Sequence, residues 1–128
     1  MSCYIVRDEE AKKLKPNVMF GKVSDKAHIS HAIDSPESTH MTAGYLRLVP
    51  GYSKDLESPV DEVDLFMEGS LTVTCEGKTF TAKQGDIFFI QRGTKAHFDT
   101  KDGCLVFYAT YPLMQEAIDE VAKKLGKK

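Results

Sequence analysis

Glu62 and Asp64 stand two residues apart in the stretch Asp61-Glu62-Val63-Asp64-Leu65-Phe66-Met67. On an extended strand that spacing puts both carboxylates and Phe66 on one face, with Val63, Leu65 and Met67 on the other. Two carboxylates held together away from water repel, so one keeps its proton near neutral pH or a cation matches them. Such a pair is a candidate general acid and base. At a solvated rim the same residues would carry only surface charge or a salt bridge. Cations for the pair are few. Arg47, in Tyr45-Leu46-Arg47-Leu48-Val49, shares a strand face with Tyr45. Turned inward, its planar fork would grip Glu62, Asp64 or a ligand carboxylate, with Tyr45 beside it. Turned outward, it is surface.

The remaining chemistry-bearing residues are scattered. His28, His31 and His40 lie in the first third, and His97 stands alone. His28 and His31 would share a helical face but oppose each other on a strand. Cys3, Cys75 and Cys104 form no CxxC pair, which leaves no zinc knuckle and no redox dithiol. Reduced thiols acting as small apolar groups fit best, and neither Cys75 nor Cys104 has a neighbour that argues for reactivity. No glycine-rich phosphate loop of either common type is present.

These residues must be positioned by one domain. The 128 residues are 41% hydrophobic, enough for a single core. Seventeen basic against nineteen acidic residues give a net charge of −2, without the clustered basic surface of a nucleic-acid binder. No apolar run approaches the ~20 residues of a membrane helix, and the N-terminus lacks a signal-peptide layout. A cytoplasmic protein with no nucleic-acid or membrane partner is expected.

Tyr4-Ile5-Val6 reads as a short strand, followed by one or two helical turns from Asp8 to Leu14, ended by Pro16-Asn17. Val18 to Ile33 is weakly patterned, with a strand suggested over Ala27–Ile33. Asp34–Ser38 and Lys54–Pro59 read as loops. From Gly44 onward the text is β: Tyr45–Val49, Glu62–Met67, Leu71–Cys75, Thr79–Ala82, Ile87–Ile90, Ala96–Thr100 and Cys104–Tyr111. Turns at Pro50-Gly51, Glu68-Gly69-Ser70, Glu76-Gly77-Lys78, Gly85-Asp86, Gly93 and Asp102-Gly103 separate them. Many short strands with regular turns mean an antiparallel sandwich or barrel. After Pro112, apolar residues at 113, 117, 118, 121, 122 and 125 predict an amphipathic helix over 113–125, ended by Gly126. It is expected to pack on the outside of the barrel and to run into a solvated basic tail.

The spacing resembles the cupins, small double-sheet barrels. Glu62 and Gly69 match the glutamate-x6-glycine of the family's first motif, and Gly85 and Gly93 fit the second. Gln91 replaces its proline, and Ala96 stands where its histidine belongs. Within cupins, Asp61–Gly69 resembles the D-E-I-D-x-V-L-E-G signature of the EutQ ethanolamine-utilisation family. Leu71-x-Val73, Glu76-Gly77, Ala82-Lys83-x-Gly85-Asp86 and Phe107-Tyr108-x-x-Tyr111-Pro112 keep that resemblance in register. The fold it implies is all-β: a cupin-type double-stranded β-helix (jelly-roll) barrel with a C-terminal α-helix. One domain would then span 1–128, with N-terminal strands or arm over 1–40, barrel over 40–112 and helix over 113–125.

The resemblance implies that Glu62 faces the cavity, and alternation then brings Asp64 with it. Tyr108 matches a tyrosine of the family ending and joins them as a candidate catalytic residue. The paired histidines of a metal-binding cupin are replaced by Lys54-Asp55-Leu56-Glu57-Ser58. His97 comes one residue late and points away from the cavity unless a bulge reverses the phase. No standard metal centre is therefore expected and no cofactor is certain. A divalent metal at a nonstandard site of His40, Glu62, Asp64 and His97 remains conceivable. Arg47, Tyr45 and His97 are the candidate ligand-binding residues. The expected function is binding of a small metabolite in the barrel, enzymatic or not, within ethanolamine or acetate-type metabolism. Acyl-phosphate chemistry is one option implied by the resemblance. The alternative is a non-catalytic binding or assembly module. The apolar row Val63, Leu65, Met67 and the N-terminal strand edges predict a homodimer.

Overall fold

The computed structural model describes residues 3–19 and 22–126. The Phe20-Gly21 junction and the terminal Lys127-Lys128 lie outside the described residues. Among the described residues a 3-10 turn at Asp8–Lys12 leads into nine strands: β1 (Lys15–Met19), β2 (Lys22–Ile29), β3 (Thr42–Leu48), β4 (Tyr52–Glu57), β5 (Asp61–Cys75), β6 (Lys78–Lys83), β7 (Ile87–Ile90), β8 (Lys95–Thr100) and β9 (Cys104–Tyr111). The helix α1 covers Met114–Lys124. Every strand pairing is antiparallel. The architecture is a cupin-type jelly roll.

One strand makes it so. β5 runs through fifteen residues and belongs to both sheets. Its first half pairs with β9 and β7, extending the first sheet β1-β2-β3-β9-β5-β7, while its second half pairs with β6 and β8 in the second, β6-β5-β8-β4. The reading of Glu68-Gly69-Ser70 as a tight turn is thus corrected to a bend within a strand. The ladder to β9 slips between Phe66 and Glu68, leaving Met67 as the extra residue of a bulge. Gly69 follows at φ +74°, where an added Cβ would lie 2.1 Å from the Gly103 carbonyl oxygen. The bulge resets the alternation. Before it, Asp64 and Phe66 are buried; after it, Leu71 and Val73 are.

Three further sequence expectations give way. Lys54–Pro59 is not a loop through its length, because β4 pairs residue for residue with β8. Tyr4–Val6 forms no strand, and Pro16 lies inside β1 rather than ending a helix. The helix α1 is tied to the barrel from outside: the Met114 amide donates to Thr42 Oγ1 at 2.9 Å, Arg92 pairs with Glu120, and Ala117 and Ile118 are buried. Among the described residues no helix is long and apolar enough to cross a membrane.

The core fills the space between the sheets: Leu48, Phe66, Leu71, Val73, Phe88, Ile90, Ala96 and Val106 are all under a tenth exposed. Alternation on every contributing strand delivers these positions to one face.

Candidate functional site

A cavity of about 120 Å³ opens into the barrel interior beside Glu62 and Asp64. Its wall is largely apolar, built from Ile29, Leu46, Leu48, Leu71, Phe88, Ile90 and Phe98. Tyr52 and Ser58 add polar atoms, and the partly or fully exposed Asn17, Glu57, Pro59 and Met114 mark the mouth. Glu62 and Asp64 arrive together because they precede the Met67 bulge on β5. There the first sheet's central ladder, Glu62 opposite Thr110 and Asp64 opposite Tyr108, turns even-numbered residues inward.

The pair behaves as one acid. Asp64 is 5% exposed, and its Oδ1 is buried with no hydrogen-bond partner among the described residues. Burial lifts its carboxyl well above the usual range, and the Glu62 charge and the hydrogen bond to Glu62 lift it further. Burial also raises Glu62, while the bond from Asp64 opposes that rise. The two carboxyls therefore share a proton in the hydrogen bond between them and titrate as a pair. Tyr52, 8% exposed, is pushed up to about 12 by burial and then by the Glu62 charge, so it stays a hydroxyl donor. The Cys104 thiol is pushed up to about 11, chiefly by burial, and remains protonated and unreactive.

Tyr108 reaches this region but presents no free hydroxyl. Its O–H donates to the Ser30 carbonyl at 2.8 Å, and its oxygen lies 2.7 Å from His31 Nδ1. Because the carbonyl can only accept, the hydroxyl proton goes there and His31 Nδ1–H donates to the phenol oxygen. Burial raises the Tyr108 phenol strongly and lowers His31. Tyr108 is thus a buried tie between β9 and the end of β2.

The other sequence candidates lie elsewhere. Arg47 faces outward, 3.8 Å from Glu68, and does not grip Glu62 or Asp64. Tyr45 shares that outer face, opposite Phe107. Strand phase decides both, since Leu46 and Leu48 take the cavity side. His97 also points outward, because Ala96, Phe98 and Thr100 are the inward set of β8. His40 sits beside Tyr111, ring centroids 6.1 Å apart. The nonstandard metal set of His40, Glu62, Asp64 and His97 is therefore not brought together, and among the described residues no three His, Cys, Asp or Glu side chains converge. A three-histidine cupin metal centre does not fit the cavity, whose ionisable lining is carboxylate and phenol.

His97 makes an arrangement of its own on the outer face of the second sheet. Its Nδ1–H donates to Asp55 Oδ1 at 2.8 Å, and Nε2 lies 3.1 Å from Ser53 Oγ. The order serine, histidine, aspartate is that of a nucleophile relay, but the Asp55 side chain is 90% exposed. Water, not the protein, solvates the carboxylate that would have to hold an imidazolium, and the array lies on an open surface. It ties β4 to β8.

Sequence reasoning missed Tyr52, Leu56 and Ser58. The signal was the spacing of Tyr52 and Leu56 across a polar run, which a loop reading of Lys54–Pro59 conceals.

Comparison with known proteins places this geometry. The family model for "Ethanolamine utilisation protein EutQ" matches residues 6–116. Acetate kinase EutQ of Salmonella typhimurium is 36% identical over 58 residues, 45% of this chain and 25% of that protein. The solved EutQ of Clostridium difficile superposes with a TM-score of 0.63 at 25% identity, covering 68% of this chain and 63% of that one. A cupin superfamily protein of Desulfitobacterium hafniense, at 12% identity and a TM-score of 0.59 over 69% of this chain and 79% of that one, shares the fold. The chain spans between 22% and 58% of the length of the curated relatives it matches.

Proposed function

Because the chain belongs to the EutQ family of ethanolamine utilisation proteins, we propose that its barrel binds a small metabolite and that Glu62 and Asp64 exchange a proton with it. The observation that carries this reading is the unpartnered Asp64 Oδ1 in the cavity wall. A buried polar atom without a partner costs about 1–3 kcal/mol, and a bound ligand with a hydrogen to give removes that penalty. A site of this kind combines an apolar wall with a few convergent polar groups, one of them shifted toward neutral pH.

Relatives carry the name acetate kinase. For this chain, ethanolamine and acetate-type metabolism is the chemical setting in which the ligand is sought. A thermal-shift panel of metabolites with about six heavy atoms or fewer, run on the wild type and on Leu71→Phe, tests the reading. Some member should raise the melting temperature of the wild type and not of the variant, whose phenyl ring occupies the cavity. A panel that stabilises neither protein, or both equally, overturns it.

We also propose a homodimer. On the outer face of the first sheet Val63, Leu65, Ile87, Phe89 and Phe107 are all at least a third exposed. The strand register makes them neighbours: Val63 opposite Phe89, and Leu65 opposite both Ile87 and Phe107. A contiguous apolar surface on a sheet face supports association with a second copy.

A further inference from the structure

The cavity has one sign of charge. Glu62 and Asp64 line its interior and Glu57 its mouth, while among the described residues no lysine or arginine lines it. Arg47 is paired with Glu68 on the outer face, Arg92 with Glu120, and Lys95 lies 3.9 Å from Glu57 outside the barrel. Lys54, on the same strand face as Tyr52 and Leu56, is exposed and does not line the cavity. The rest of the wall is aliphatic and aromatic. Resting on the reading of the cavity as a metabolite site, we infer that its ligand is a small primary alkylammonium ion, seated with its charge on Glu62 and Asp64.

Three features select this class. An anion such as a carboxylate or phosphate would meet the Glu62 charge with no cation to offset it. Calcium or magnesium needs about six oxygen ligands and zinc about four from thiolate, imidazole or carboxylate, whereas Ile29, Leu46, Leu48 and Ile90 offer none beside the two carboxyls. An alkylammonium uses both halves of the wall. Its three N–H groups answer the Glu62 carboxylate and the unpartnered Asp64 Oδ1, and its carbon chain packs on Phe88, Phe98 and Leu71, with the aromatic faces favouring a nearby cation. A cavity of about 120 Å³ limits the ligand to a short chain.

The site should also give up a proton. The cation replaces the proton that Asp64 shares with Glu62, so Asp64 ionises on binding. The other titratable groups facing the pair are Tyr52 from β4 and Cys104 and Tyr108 from β9. Burial raises all three, so none takes up that proton near neutral pH. Glu57 stands at the mouth beside Lys95, and His31 behind Tyr108.

Methyl NMR of the leucine-labelled protein, titrated with n-propylamine, ethanolamine, n-propanol and sodium propionate, provides the test. The two amines should shift the Leu46, Leu48 and Leu71 methyl signals, while propanol and propionate at equal concentration should not. Glu62→Gln should weaken amine binding by about tenfold or more, the scale of a lost charged hydrogen bond. Calorimetry in phosphate and in HEPES, which carries no primary amine, at one pH should give different apparent enthalpies, the mark of proton release. If propanol or propionate shifts these methyls as strongly as the amines do, the cavity stands as a metabolite site and the ammonium assignment fails. If none of the four probes moves them, both readings fail.

Discussion

Gly44 of β3 stands directly opposite Tyr108 of β9, and the Tyr108 hydroxyl bonds the carbonyl of Ser30 on the far side of that glycine. A Cβ at Gly44 would lie 2.1 Å from the Ser30 carbonyl oxygen, far inside contact distance. The bare backbone at Gly44 lets Ser30 come close enough for the buried phenol to reach it. The Ser30 amide in turn donates to the Tyr45 carbonyl at 2.9 Å. One missing methyl group thus permits the tie that holds the end of β2 over the barrel.

Gly44→Ala should therefore be strongly destabilising, by about 2 kcal/mol or more, because backbone has to move and a buried hydroxyl and carbonyl lose each other. Urea denaturation of the variant beside Tyr108→Phe measures it. Tyr108→Phe should lose only about 1–3 kcal/mol, the cost of the broken bonds. An alanine variant as stable as the wild type would show that β2 does not depend on the close approach.

The acid pair makes stability depend on pH in a defined direction. Both carboxyls are raised in the folded protein above ordinary values of 3.8 for aspartate and 4.5 for glutamate. The folded state then binds more protons than the unfolded chain, so this contribution is fully present below about pH 4 and fades as pH rises through the folded values. Asp64→Asn keeps a donor for Glu62 and removes the Asp64 part of the titration. Its melting temperature should fall less than that of the wild type between pH 5 and pH 8, with a gain on the order of 1 kcal/mol or more at the upper end. Equal slopes for the two proteins would mean the pair is not displaced.

Phe66 is 1% exposed and sits at the last inward position before the bulge. Phe66→Ala should cost about 3–5 kcal/mol in urea denaturation. His97→Ala, on the outer face, breaks an exposed bridge to Asp55 and should cost under about 1 kcal/mol. It should also leave ligand binding to the cavity unchanged, and a binding defect in that variant would move the site to the other side of the second sheet.

Ile87 is 71% exposed on the edge strand β7, opposite Leu65 of the apolar face. Light scattering should give twice 14.3 kDa for the wild type, and Ile87→Lys should return the single-chain mass without altering the melting behaviour of the barrel. A wild type that already runs as one chain at micromolar concentration removes the dimer.

Much of the molecule was legible in its sequence because period-2 alternation and glycine turns are local signals. They were enough for the strands from Gly44 onward, the amphipathic helix and the placing of Glu62 and Asp64 on one strand face. The cupin resemblance carried the rest of the fold. What alternation cannot report is phase relative to the core once a strand changes sheets. The Met67 bulge and the Gly69 bend reset that phase within one continuous strand, and text that reads as a hairpin turn is the corner of the barrel. Alternation also leaves open which of two faces is inner. Only tertiary pairing turned Leu46 and Leu48 inward and so sent Arg47 and Tyr45 out. The polar run Tyr52–Glu57 has no pattern strong enough to declare a strand by itself, yet pairing with β8 makes it one and brings Tyr52 to the cavity. The acid pair's shared proton is likewise a property of the closed barrel. The sequence determined that two carboxylates travel together, and burial between two sheets decided that they hold one charge.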